Sequence, residues 1–172
     1  MYDETIMADA GEVLRLLGYF KQHIRITSDD ADGDLQAKLQ SALTSVGHDV
    51  HRVLVASTVT ATAVTSSEAG VIRLTLRGPV REIVSVSVNG AVIAEGEGYD
   101  IRGNRLTVKG DFSDAVVEVT YKAGYRAIPP DMWEAVCLRG AGSYANPLDT
   151  VQERQRASDV LLRSYRFKDW IS

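Results

Sequence analysis

Phe20-Lys21-Gln22-His23-Ile24-Arg25-Ile26-Thr27-Ser28-Asp29-Asp30, continued by Asp34-Leu35-Gln36 and an apolar-periodic run to Leu54, is the stretch on which the fold turns. It reads as the end of one amphipathic helix, a short extended link, an acidic cap and a second amphipathic helix. Thr27 or Ser28 supplies an oxygen for the free N–H groups of the next turn, and Asp29 and Asp30 sit at the positive end of the helix dipole. Leu35, Leu39, Ala42, Val46, Val50 and Leu54 then recur at helical steps, which predicts one apolar stripe on a helix from about Asp30 to Leu54. Upstream, Val13, Leu16, Leu17, Phe20 and Ile24 set the same period on a helix from Ala8 to His23. Gly18 falls off that stripe, and Gly47 interrupts the second helix.

Past Ala56 the pattern changes to period two. Thr58–Val64, Val71–Leu76, Ile83–Val88, Ala91–Ala94, Tyr99–Ile101, Arg105–Val108 and Ala115–Tyr121 read as short strands. Asn89-Gly90 between two of them is a strong hairpin signal, because both turn residues take positive φ. Pro129-Pro130-Asp131 starts a third helix, where proline's missing N–H is not needed. That helix is apolar nearly all round through Met132, Trp133, Val136, Cys137 and Leu138, so it belongs at the centre of a bundle. Gly140 and Gly142 allow a close neighbour. Asn146-Pro147 ends it, and a final helix runs from about Thr150 to Tyr165.

These elements predict an α+β fold, a small helical bundle with an antiparallel β subdomain inserted between two helical pairs. The expected divisions are 1–56 for the first pair, 57–126 for the β insertion and 127–172 for the second pair with its tail. A chain of 172 residues suits one domain carrying such an insertion. The net charge of −4 implies no basic face and argues against binding nucleic acid by neutralising phosphates. One cysteine excludes an internal disulfide and fits a reducing compartment. Nothing approaches the roughly 18 apolar residues of a membrane helix, and no signal-peptide run is present, so a soluble cytoplasmic product is expected.

Chemistry is hard to find. His48 and His51 stand at i, i+3 and could share a metal with Asp49, but neither lies on the apolar stripe and a solvated face is the better reading. His23 reads as a cap or surface residue. Asp30-Ala31-Asp32-Gly33-Asp34 resembles the start of a calcium loop, which needs glycine at position six and glutamate at position twelve. With Gly33 sixth, Leu39 is twelfth; with Asp30 first, Leu35 and Ser41 fill those places, so both registers fail. Cys137 is embedded in apolar helix, where a thiol is inert. Gly96-Glu97-Gly98 and Gly103-Asn104 lie between strands and make no phosphate cradle. No catalytic residue, metal ligand or cofactor site is expected. In the tail, Arg163, Tyr165, Arg166, Phe167 and Trp170 are of the types enriched at interface hot spots. They serve either a partner or a tail folded back on its own bundle.

From Phe20 to Ile26, with Asp29-Asp30 and Asp34-Leu35-Gln36 after it, the sequence resembles the phage head–tail connector (adaptor) family. Members open with a helix ending in a leucine-lysine-x-x-leucine-arginine-isoleucine-like run; Phe20 stands where leucine is usual. Leu76-Arg77-Gly78-Pro79-Val80 with Ser85-Val86-Ser87-Val88-Asn89-Gly90 looks like the family's β portion. Thr120-Tyr121-Lys122-Ala123-Gly124-Tyr125 with Ile128-Pro129-Pro130-Asp131 resembles its exit into the third helix, and Leu161-Leu162-Arg163-Ser164-Tyr165-Arg166 a common ending. The match runs in order along almost the whole chain. It implies a non-enzymatic virion protein of a phage, prophage or gene transfer agent, made in the bacterial cytoplasm and placed in the neck. It further implies a ring, typically dodecameric, that binds the portal protein above and a stopper or tail completion protein below. Double-stranded DNA would pass through without specific binding. The C-terminal residues Arg163 to Trp170 would reach the portal. The ring contact would lie on the helices, with Asp30, Asp34, Gln36 and Lys38. The alternatives are another neck or tail completion protein, or a small non-viral binding module or enzyme.

Overall fold

The computed structural model describes residues 2–67, 70–112, 114–145 and 152–166. The fold is α+β, and the chain divides into two compact units: Met1–Ala8 with Ala56–Gly124, and Asp9–Val55 with Tyr125–Ser172. In chain order the elements are β1 (Tyr2–Ala8), α1 (Ala10–Ile24), α2 (Asp32–Asp49), β2 (Ser57–Thr65), β3 (Val71–Thr75), β4 (Val80–Val88), β5 (Ala91–Val92), β6 (Tyr99–Arg102), β7 (Arg105–Lys109), β8 (Ala115–Ala123), α3 (Pro130–Ala145) and α4 (Gln152–Leu162).

Helices α1 to α4 bury one shared core of Phe20, Leu35, Leu39, Val46, Val50, Met132, Val136, Cys137 and Leu162. The stripes read from the sequence on α1 and α2 close on α3, while α4 contributes Leu162 and leaves Val160 exposed. The Asp9 carboxylate caps α1, its Oδ1 accepting the Glu12 N–H at 3.0 Å. The link after α1 opens on a turn. Arg25 takes a left-handed conformation (φ 59°), its N–H reaches Gln22 O at 3.2 Å, and Ile26 N–H reaches Lys21 O at 3.0 Å. That pair of bonds satisfies the last carbonyls of α1 and turns the chain sharply.

The start of α2 differs from the expectation. Its N-cap is Ala31, with no side-chain cap. Ser28 Oγ instead accepts the Asp30 N–H at 3.2 Å and donates to Asp30 Oδ2 at 2.6 Å. The side-chain oxygen is consumed two residues early, and Asp32 and Asp34 meet the dipole in the first turn. At the other end α2 stops at Asp49. His51 is left-handed (φ 51°), with His51 N–H bonding His48 O and Arg52 N–H bonding Gly47 O at 2.8 Å. Gly47 is required there, since a Cβ would stand 2.7 Å from Arg52 O. Leu54 continues the apolar stripe and is buried, but it reaches the core from beyond the helix, so periodicity overran the helix end.

In the other unit, a five-stranded sheet has the order β1-β2-β8-β4-β5 and a three-stranded sheet the order β3-β7-β6; all the ladders are antiparallel. Each sheet buries one face. Val59, Ala61, Val117, Val119 and Tyr121 line the larger sheet and Ile72, Leu106 and Val108 the smaller. The expectation that residues 1–56 hold only the helical pair is corrected at its start. Tyr2–Ala8 pair with Ser57–Ala63 as the edge strand of the larger sheet. The alternation is weak in sequence, because an edge strand with an exposed face needs no apolar run.

Candidate functional site

The Phe20–Asp30 stretch is a helix corner held from inside. Phe20 is fully buried, and a Cβ at Gly140 of α3 would meet its Cζ at 2.8 Å, so glycine lets the two helices close. The Lys21 side chain, 13% exposed, reaches Asp29 Oδ1 and Asp32 Oδ1, each at 2.6 Å. The bonds from Asp29 and Asp32 raise the Lys21 pKa, and the bond from Lys21 lowers that of Asp29. His23, Ile24 and Ile26 line an open groove of roughly 390 Å³ against Leu138, Ala141 and Tyr144 of α3. A second clamp is Arg139, 10% exposed. It bonds Asp49 Oδ2 at 2.6 Å, Asp159 Oδ1 at 3.0 Å, Ser45 Oγ at 2.6 Å and Ser158 Oγ at 3.0 Å, tying α2, α3 and α4. Sequence reading missed it, because its partners lie on two other elements, α2 and α4.

The other signature residues are also structural. In the sheet unit the Tyr121 hydroxyl donates to Glu4 Oε1 at 3.3 Å and accepts the Arg77 N–H at 3.2 Å, while Arg77 Nη1 lies 3.6 Å from Glu4 Oε2. Burial, then the Glu4 charge, pushes the Tyr2 hydroxyl up to about 12, and Tyr121 shifts the same way. Gly78 packs against the Asn104 side chain, whose Oδ1 accepts the Val80 N–H at 3.2 Å. Gly124 (φ 116°) gives its N–H to Pro79 O at 3.0 Å and takes the Arg81 Nε–H on its carbonyl at 2.6 Å. Thus the residues that carry the family resemblance hold corners and hairpins.

Asp30, Asp34, Gln36 and Lys38 lie together at the entry to α2, where Asp30 and Asp34 are exposed and Gln36 and Lys38 half-buried. Arg163, Tyr165 and Arg166 follow α4. Tyr165 packs partly against the helical core, and Arg166 Nη2 bonds Asp159 Oδ1 at 3.0 Å, so this segment folds back in part on its own bundle. Phe167 and Trp170 lie outside the described residues. His48 is exposed in the last turn of α2 and His51 lies beyond its end, so they do not share a helix face. Burial pushes the Cys137 thiol up to about 12, which leaves it unreactive at neutral pH. Among the described residues no three His, Cys, Asp or Glu side chains converge on a metal-sized site, and no helix is long and apolar enough to cross a membrane.

The acidic net charge gives no sign of a basic face, yet the small sheet carries one. In the small sheet Arg73, Thr107 and Asp100 form one cross-strand row, and Thr75, Arg105 and Arg102 the next. With Lys109 these fill its outer face. Asp100 pairs with Lys109 at 2.9 Å. Arg73, Arg102 and Arg105 are exposed and have no carboxylate within ion-pair distance among the described residues. The signal was present in the sequence. Arg73 follows Ile72, and Arg105 and Lys109 alternate with Leu106 and Val108, so period two places the cations together opposite the core.

The molecule is therefore an α+β chain whose side-chain clusters join elements and whose open features are surfaces: a groove, an edge strand, an acidic corner and a basic sheet face. No protein-family model and no curated protein matches its sequence. Its fold is similar to a chain of the neck of an empty gene transfer agent particle computed with C6 symmetry, with TM-score 0.78 and 17% identity. It is similar also to chains of the virion of a native gene transfer agent particle (TM-score 0.75, 19% identity) and of the neck of a native particle computed with C12 symmetry (0.74, 19%). Each likeness covers 100% of this chain and 98% of the other.

Proposed function

We propose that this protein is a structural neck component of a tailed-phage-like particle, a head–tail connector that forms a ring below the portal and extends the DNA channel. The full-length fold likeness to gene transfer agent neck chains carries this reading, because it spans both units and nearly all of each neighbour. The order of the sequence signatures supports it independently. The ring is dodecameric, the portal lies above it and a stopper or tail completion protein below, and duplex DNA passes without specific binding. The C-terminal segment with Arg163, Tyr165, Arg166, Phe167 and Trp170 is the portal contact, and Asp30, Asp34, Gln36 and Lys38 belong to the ring contact. Two different faces meeting head to tail close a ring when the rotation permits. No cofactor, metal or catalysis is needed for this role.

Light scattering of the protein alone and with its cognate portal tests the reading. A ring-sized mass with the portal, lost when residues 163–172 are removed, is the expected result. A strict monomer indifferent to the portal would contradict it.

A further inference from the structure

The three arginines on the outer face of β3-β7-β6 are exposed and make no ion pair among the described residues. Arg102 and Arg105 are direct cross-strand partners, and Arg73 is diagonal to Arg105. Like charges placed opposite each other weaken a sheet. Lys109 is neutralised by Asp100, so the uncompensated charge is entirely guanidinium, the group that forks onto carboxylates and phosphates. An acidic chain thus carries a cationic surface that nothing in its own described residues satisfies.

We infer that this face docks on the acidic α1–α2 corner of a second copy of the chain, an inference that rests on the ring reading above. The corner offers the complementary charge. Asp29, Asp30, Asp32 and Asp34 are served by one lysine, Lys21, which reaches only Asp29 and Asp32. Asp30 and Asp34 are exposed and have no cationic partner among the described residues. The two surfaces are different, so each copy gives one and receives one, which is the heterologous contact a ring requires. Duplex DNA is the weaker occupant. Three cations neutralise few phosphates, and the chain's net charge of −4 opposes approach. Arginine is also the cation enriched at protein interface hot spots.

The test is charge reversal in the full chain, with Arg73→Glu/Arg102→Glu/Arg105→Glu as one variant and Asp30→Lys/Asp34→Lys as the other. All five side chains are exposed, so both variants are expected to fold, with circular dichroism as the check. Assembly is read by sedimentation, alone and with the cognate portal, between about 50 mM and about 0.5 M salt, over which screening rises several-fold. The wild type is expected to associate and to weaken as salt rises. Each variant alone loses association by about tenfold or more. An equimolar mixture of the two restores it, because a reversed face meets a reversed corner. Variants that assemble like wild type, or a mixture that does not recover, overturn the contact and leave the ring reading standing. A wild type that assembles under no condition removes both. Capture of a short duplex DNA by the wild-type face, with no self-association, assigns the arginines to nucleic acid and overturns the contact.

Discussion

In the helical unit Arg139 is met by Asp49 and Asp159, and Lys21 by Asp29 and Asp32. In the sheet unit Arg73, Arg102 and Arg105 stand on an open face with no acid in reach among the described residues. Composition treats these cations alike, but topology separates them. Helix corners draw residues distant in sequence around one cation, and the burial of Arg139 makes those partners necessary. A sheet's outer face leaves each side chain in water, where a cation needs no internal partner and is available to an external one. The difference separates charge that fastens the fold from charge that is presented.

Core truncation should hurt both units alike and so sets the scale. Phe20→Ala in the helices is expected to lower stability by about 3–5 kcal/mol and Leu106→Ala in the small sheet by about 2–5 kcal/mol, read by urea unfolding. Gly140→Ala should cost about 1–3 kcal/mol, because its new methyl meets the Phe20 ring. Combined with Phe20→Leu, it should cost less than the sum of the two single changes. If the costs simply add, this helix contact is not as tight as described.

The charged groups should then diverge. Arg139→Met is expected to cost about 2 kcal/mol, since it strips hydrogen bonds from two aspartates and two serines. Arg102→Thr should instead be neutral or stabilising by about 0.2–1 kcal/mol, because it removes a like-charge cross-strand pair. Equal losses at Arg139 and Arg102 in thermal melts would erase the distinction.

The smallest effect is electrostatic and depends on pH. The Asp29 pKa is lowered from 3.8 in the folded protein, so its bond to Lys21 stabilises above that value and is lost as pH falls through the depressed one. The Lys21 pKa is raised from 10.5, so its share is complete below that value and fades as pH climbs beyond it. The melting-temperature difference between wild type and Lys21→Met should therefore be flat near neutrality and shrink at both extremes. A difference unchanged from strong acid to strong base would remove this corner clamp.

Much of this was legible before any coordinates. The apolar stripes through Phe20, Leu39 and Val46 gave the bundle, and period two with Asn89-Gly90 gave the sheets. What failed was local. The acidic run after Ser28 looked like a capped helix start, but the serine oxygen was taken by Asp30. The edge strand Tyr2–Ala8 hid because all its residues but Glu4 are exposed, so no buried face imposes an apolar alternation. The basic face hid because net charge averages over the chain, although alternation alone would have placed Arg73, Arg105 and Lys109 on one side. Arg139 had no sequence signal, since its four partners are distant in the chain. The candidate site was least legible because it is a set of surfaces, and a surface becomes visible only when strands and helices are laid side by side.

The most direct test of the neck reading is to locate and count this chain in purified cognate particles, by gold labelling in electron micrographs and by its molar ratio to the portal protein. The account predicts label at the head–tail junction and a fixed ring stoichiometry matching the portal. Label at the tail tip or on the capsid surface, or absence from the particle, would contradict it.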